Sequence, residues 1–135
     1  MVTANNYSDI QILQGSDFVY ELEFDATHND VDFENAGASP YAYRARLQKD
    51  FTNVTTFQYD GSPVTAVLFD VSKVDSYNIK ITMSGVDTAK FEDDFEGVWD
   101  LLEKKDLGSS VYEHVRQVQG DVVISPMVTQ PGDFG

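Results

Sequence analysis

Asp17-Phe18-Val19-Tyr20-Glu21-Leu22-Glu23-Phe24-Asp25 alternates without a fault. Phe18, Tyr20, Leu22 and Phe24 share one parity, and Val19, Glu21, Glu23 and Asp25 share the other. Successive side chains of an extended chain point to opposite sides, so this stretch reads as a strand with four large residues on one sheet face and acids on the other. Just before it, Gln14-Gly15-Ser16 is turn chemistry following the short apolar piece Ile10-Gln11-Ile12-Leu13. The opening therefore predicts two strands, or one strand broken by a bend at Gly15.

Beyond a polar, acidic loop at 26–40, alternation resumes. Tyr41, Tyr43, Ala45 and Leu47 face in, and Arg44, Arg46 and Gln48 face out. A short β run at 54–59 ends at Asp60-Gly61-Ser62-Pro63, a strong turn signal. Segments 64–71 and 77–83 follow as β, the second with Tyr77, Ile79, Ile81 and Met83 on one face. Residues 84–91 hold one short helical turn, continued by the acidic loop of Glu92, Asp93, Asp94 and Glu96. The last third predicts a hairpin: a strand at 97–103, a polar turn at 104–110 and a strand at 111–118. Gln119-Gly120 reads as a break, Val122-Val123-Ile124 as the closing strand, and Pro126 as its end. Eight or nine short strands with at most one helical turn predict an all-β sandwich or barrel, which share this alternation. The expected organisation is an N-terminal arm at 1–8, one domain at 9–126 and a C-terminal tail at 127–135.

The chain has 135 residues, and 9 Lys+Arg against 23 Asp+Glu leave a formal charge of −14. Non-specific nucleic-acid binding is excluded, because displacing phosphate counterions needs Lys and Arg, and an anionic membrane surface is excluded with it. There is no cysteine, hence no disulfide framework, thiolate nucleophile or cysteine-based metal site. No stretch approaches the roughly 20 apolar residues that span a bilayer. Residues 1–9 lack the layout of a signal peptide, so an intracellularly made protein is expected.

Motifs for chemistry are sparse. The two histidines are His28, in the acidic loop, and His114, on an exposed strand parity; neither has a nucleophile and orienting group in sequence support. There is no Gly-x-Ser-x-Gly elbow and no Gly-rich phosphate loop, so no enzyme is expected. No pair among the 23 acids is singled out as a glycosidase pair. Calcium is the one cofactor with a candidate site. Asp25, His28, Asn29, Asp30, Asp32 and Glu34 supply oxygen and nitrogen ligands in one loop, and Asp30-x-Asp32-x-Glu34 resembles the start of a calcium loop. Asn35 stands where an EF-hand needs glycine, and a charge run of this kind is more often a solvated face. Trp99, in Val98-Trp99-Asp100-Leu101-Leu102, is expected to anchor the core.

The order of segments resembles the small β-sandwich proteins of tailed-phage virions. Gln14-Gly15-Ser16-Asp17-Phe18 leads into the first alternating strand, and Tyr43-Arg44-Ala45-Arg46-Leu47-Gln48 matches that group's Tyr-x-Ala-x-(Leu/Met)-Gln strand. A turn resembling theirs runs from Met83 to Thr88, and Trp99-Asp100-Leu101-Leu102-Glu103 matches their Trp/Tyr-Asp-Leu strand. The closing hairpin, Val115-Arg116-Gln117-Val118-Gln119-Gly120-Asp121-Val122-Val123-Ile124-Ser125-Pro126-Met127-Val128-Thr129, is the most specific part.

This resemblance implies a single immunoglobulin-like antiparallel sandwich in a non-enzymatic virion component. Such a chain is made in the bacterial host cytoplasm and assembles in multiple copies at the tail, neck, baseplate or fibre attachment. Its partners would be copies of itself and other virion proteins. A capsid decoration protein and a calcium-dependent binding module for a host-surface ligand are the alternatives. Docking would fall to exposed edge strands, to Arg44, Arg46 and Lys49 facing acids of another copy, and to free ends that order on a neighbour, residues 1–7 and a tail anchored by Pro131 and Phe134.

Overall fold

The computed structural model describes residues 2–3, 6–24 and 41–126. Two sheets pack face to face. The first holds β1 (Val2–Thr3), β4 (Phe18–Glu23), β10 (Asn78–Met83) and β9 (Asp70–Asp75), in that spatial order. The second runs β2 (Asn6–Tyr7), β12 (Val111–Ser125), β11 (Phe95–Gly108), β5 (Tyr41–Gln48), β8 (Val67–Leu68), with β3 (Ile10–Leu13) also laid along β12. A separate hairpin joins β6 (Phe57–Tyr59) to β7 (Ser62–Val64), and α1 (Gly85–Thr88) links β10 to β11.

This is the immunoglobulin-like strand order: β4, β10 and β9 take the places of strands B, E and D, and β12, β11, β5 and β8 those of G, F, C and C′. In antibody domains a disulfide ties strand B to strand F. Here Tyr20 on β4 meets Trp99 on β11 edge to face, with ring centroids 5.0 Å apart. Trp99 is buried, as its alternation predicts, among Leu22, Leu47, Ile79, Ile81, Leu101, Val118 and Ile124.

The opening strand follows its pattern, with Leu22 and Phe24 buried and Val19, Glu21 and Glu23 exposed. Asp60 and Gly61 turn the β6–β7 hairpin with φ of 55° and 76°, the left-handed pair that a two-residue hairpin needs. The single helical turn also forms, capped by Ser84, whose hydroxyl accepts from the Asp87 amide.

Several boundaries differ from the sequence reading, each for a physical reason. The β run at 54–59 shrinks to Phe57–Tyr59, because the Asp50 carboxylate takes the Thr52 amide and the Thr52 and Thr55 hydroxyls and folds 50–55 into a local loop. The segment 64–71 breaks into the end of β7, β8 and the start of β9, as the chain crosses between sheets and buries Phe69. Tyr77 lies in the turn before β10 and is exposed, so it does not share the buried face of Ile79, Ile81 and Met83.

The last hairpin is far longer than 97–118. β11 and β12 stay paired from Phe95↔Ile124 to Gly108↔Val111, and the turn is only Ser109-Ser110. Gly120 does not break this ladder. A Cβ there would lie 1.8 Å from the Ser8 carbonyl oxygen, so the glycine marks a close backbone approach. Nor are the described residues of the first eight a free arm. Val2–Thr3 pair with β4 in one sheet and Asn6–Tyr7 with β12 in the other. The Trp99 Nε1 group holds this crossing by donating to the Ser8 carbonyl at 2.8 Å.

Candidate interaction face

The outer face of the six-stranded sheet collects residues that sequence distance separates. Paired residues share a face, so Tyr7, Gln119, Asp100, Arg46 and Leu68 form one row across five strands. The neighbouring row is Arg116, Leu102 and Arg44, and the next is His114, Lys104 and Ala42. On the other side lie Asp121, Val98 and Gln48. Phe51, 58% exposed, borders a depression of about 150 Å³ lined also by Arg46, Asp50, Asp100 and Arg116.

Arg44, Arg46 and Arg116 are the three arginines of the chain, and all stand on this face. With Lys104 they oppose Asp100 and Asp121 in these rows and Asp50 at the depression, 4 − 3 = +1 on a chain of −14. The Arg116 Nε lies 3.2 Å from Asp100 Oδ2, and its Nη1 donates to Gln119 at 2.9 Å. Arg44 is steadied by donating to the Tyr43 carbonyl at 2.8 Å. Exposed Leu68, Leu102, Tyr7 and Phe51 stand among these arginines. Arginine, aromatic and large apolar side chains in one patch are the composition of a protein–protein contact centre.

What turns Arg116 outward is buried beneath it. Val118, Gly120, Val122 and Ile124 point inward, so strict alternation would bury Arg116 as well. A bulge prevents this: Leu101 pairs with Val118 and Leu102 with Arg116, leaving Gln117 as the extra residue. Gln117 turns in and donates to Glu103 Oε1 at 3.1 Å, while the Tyr43 hydroxyl donates to Glu103 Oε2 at 2.8 Å. All three side chains are buried. Burial, and then the adjoining Glu103 carboxylate, push the Tyr43 phenol far above its ordinary pKa.

Of the predicted docking residues, the structure brings Arg44 and Arg46 together and separates Lys49 from them. Lys49 follows the inward parity of Leu47 and sits over the Phe95 ring, 5.1 Å from its centroid. Asp30, Asp32, Glu34, Pro131 and Phe134, along with Asp25 and His28, lie outside the described residues. Among the described residues, which include Glu92, Asp93, Asp94 and Glu96, no three acidic or histidine side chains converge as a metal site. His114 is exposed. Sequence reasoning missed Arg116, whose signal was a charged residue on a core parity, and Tyr7, Leu68 and Leu102, which only strand pairing brings to the arginines.

No protein-family model and no curated protein matches the chain. Among solved structures, it is similar to a chain in the structure of T cell specificity and activation by the bacterial superantigen toxic shock syndrome toxin-1. That match has 10% identity and a TM-score of 0.46 over 89% of this chain and 93% of that one. It is also similar to the extracellular domain of the voltage-gated sodium channel beta4 subunit, described as a parallel homodimer with a role in cell–cell adhesion. There the identity is 13% and the TM-score 0.47, over 90% of this chain and 93% of that one. The fold assignment itself rests on strand order and register.

Proposed function

We propose that this chain is a non-enzymatic structural component of a tailed-phage virion, assembling in multiple copies at the tail, neck, baseplate or fibre attachment. One observation carries the reading. Three of the five segments that resemble virion sandwiches, 43–48, 99–103 and the described part of 115–129, lie on the adjacent strands β5, β11 and β12, and their shared outer face holds all three arginines. A sheet face of this composition on an otherwise strongly acidic chain suits docking on acidic protein surfaces.

Quantitative mass spectrometry of purified particles, scaled to the major capsid protein, tests the proposal. A low, ring-sized copy number is expected. A copy number comparable with the capsid protein would move the chain to capsid decoration, and absence from the particle would overturn the virion reading.

A further inference from the structure

The positive face needs an acidic counterpart, and the same chain carries one at the base of the sandwich. There the β3–β4 turn, α1 and the loop before β11 enclose an open cavity of about 990 Å³. Asp17, Glu92 and Asp93 line it, with Phe91 at its wall and Val86, 74% exposed, at its rim. Hydrogen bonds tie the turn and the helix of the base together. Thr88 Oγ1, fully buried, accepts from the Gly15 amide at 3.0 Å and donates to the Ser16 carbonyl at 2.9 Å. The Gly85 amide donates to Asp17 Oδ1 at 2.7 Å.

From this pairing we infer that copies of the chain associate head to tail, the arginine face of one on the acidic base of the next. The face is the side of a sheet and the base is an end of the sandwich, so one molecule cannot join them within itself. Face-to-face pairing about a two-fold axis would bring together two faces of the same net positive charge. Subtracting the face's +1 from −14 leaves −15 on the rest of the chain, so net charge favours a heterologous contact of the face with a copy. Contacts of that kind build rings when they close and filaments when they do not.

The size of the face sets the strength. Five strands about 4.8 Å apart and four rows about 6.8 Å apart cover about 400 Å², half of the roughly 800 Å² per partner in a stable pair. A single contact is therefore weak, salt-sensitive and dependent on multiplicity. This contact rests on the multi-copy reading above.

Sedimentation velocity of the full chain across a concentration series tests it. Concentration-dependent association is expected at low ionic strength, and its loss near 1 M salt, where the screening length is about 3 Å. Arg44→Glu/Arg46→Glu and, separately, Glu92→Lys/Asp93→Lys should each remain monomeric. Mixed, they should associate again, because the reversed face of one now meets the reversed base of the other. Thermal melts of both variants keep misfolding distinguishable from lost contact. A wild-type chain monomeric at low salt, association untouched by the face variant, or a mixture that stays monomeric would each overturn the contact. None of these results changes the copy number in particles, so the virion reading stands or falls separately.

Discussion

Gln117 donates to the buried carboxylate of Glu103 at 3.1 Å, and that inward turn of one extra residue is what sets Arg116 on the outer face of the sheet. A core contact thus determines a surface. Replacing Glu103 by Leu removes the acceptor of both Gln117 and Tyr43. Each stranded buried donor costs about 1–3 kcal/mol, so a loss of about 2–6 kcal/mol is expected in urea denaturation. Tyr43→Phe/Glu103→Leu/Gln117→Leu, which removes donors and acceptor together, should recover a large part of it. A single Glu103→Leu variant as stable as the parent would show that the network is not what holds the bulge.

The same network predicts an alkaline limb. The Tyr43 pKa is raised in the fold by burial and by Glu103, so the native state retains a proton that the unfolded chain releases. Its stabilisation is complete below the ordinary phenol value of about 10 and is lost as pH rises above it. Tyr43→Phe should therefore be less stable than the parent at neutral pH, and its stability should fall less steeply between about pH 10 and 11. Parallel curves for the two proteins would contradict the assignment.

Gly120 and Trp99 pair across the β11–β12 ladder and together receive the link between β2 and β3 at Ser8. Gly120 makes room for the Ser8 carbonyl, and Trp99 donates to it. Gly120→Ala places a methyl group against backbone, which cannot swing aside as a side chain would. The expected cost is on the order of 2 kcal/mol or more, read as a lowered urea midpoint together with a change in tryptophan fluorescence. An unchanged midpoint would mean that the Ser8 backbone does not lie against Gly120.

Ser109 and Ser110 turn the long hairpin with φ of 53° and 63°, a conformation that costs non-glycine residues energy. Ser109→Asn/Ser110→Gly supplies the residues this turn favours and should raise stability by about 0.5–1 kcal/mol. A lower melting temperature would argue against the two-residue turn.

Thr88 is the buried link between the helical turn and the β3–β4 turn. Thr88→Val keeps the shape but strands the Gly15 amide, with an expected loss of about 1–3 kcal/mol. Hydrogen exchange at Gly15 should accelerate; unchanged protection would remove Thr88 from that role.

Much of this architecture is legible in the sequence because one face of each central strand is buried and period two survives. Phe18 to Phe24 and Tyr41 to Leu47 reveal both sheets, and Asp60-Gly61 reveals its hairpin. What sequence reading loses is where a long-range contact overrides a local rule. Gly120 looks like a break because the Ser8 carbonyl that needs its space is far away in sequence. Lys104 to Ser110 look like a polar turn because, among the described residues, Lys105↔Tyr41 is the last pair with β5 and residues 106–110 are exposed. The arginine face was half visible: Arg44 and Arg46 declare their parity, whereas Arg116 reaches them only through the bulge at Gln117.

If this chain is a virion component, as proposed, its arginine face is the surface that docks it. The most direct measurement is incorporation of an Arg44→Ser/Arg46→Ser/Arg116→Ser chain into particles in competition with the parent, its fold first checked by thermal melting. A folded chain whose incorporation falls at least tenfold is expected. A folded variant incorporated as well as the parent would contradict it.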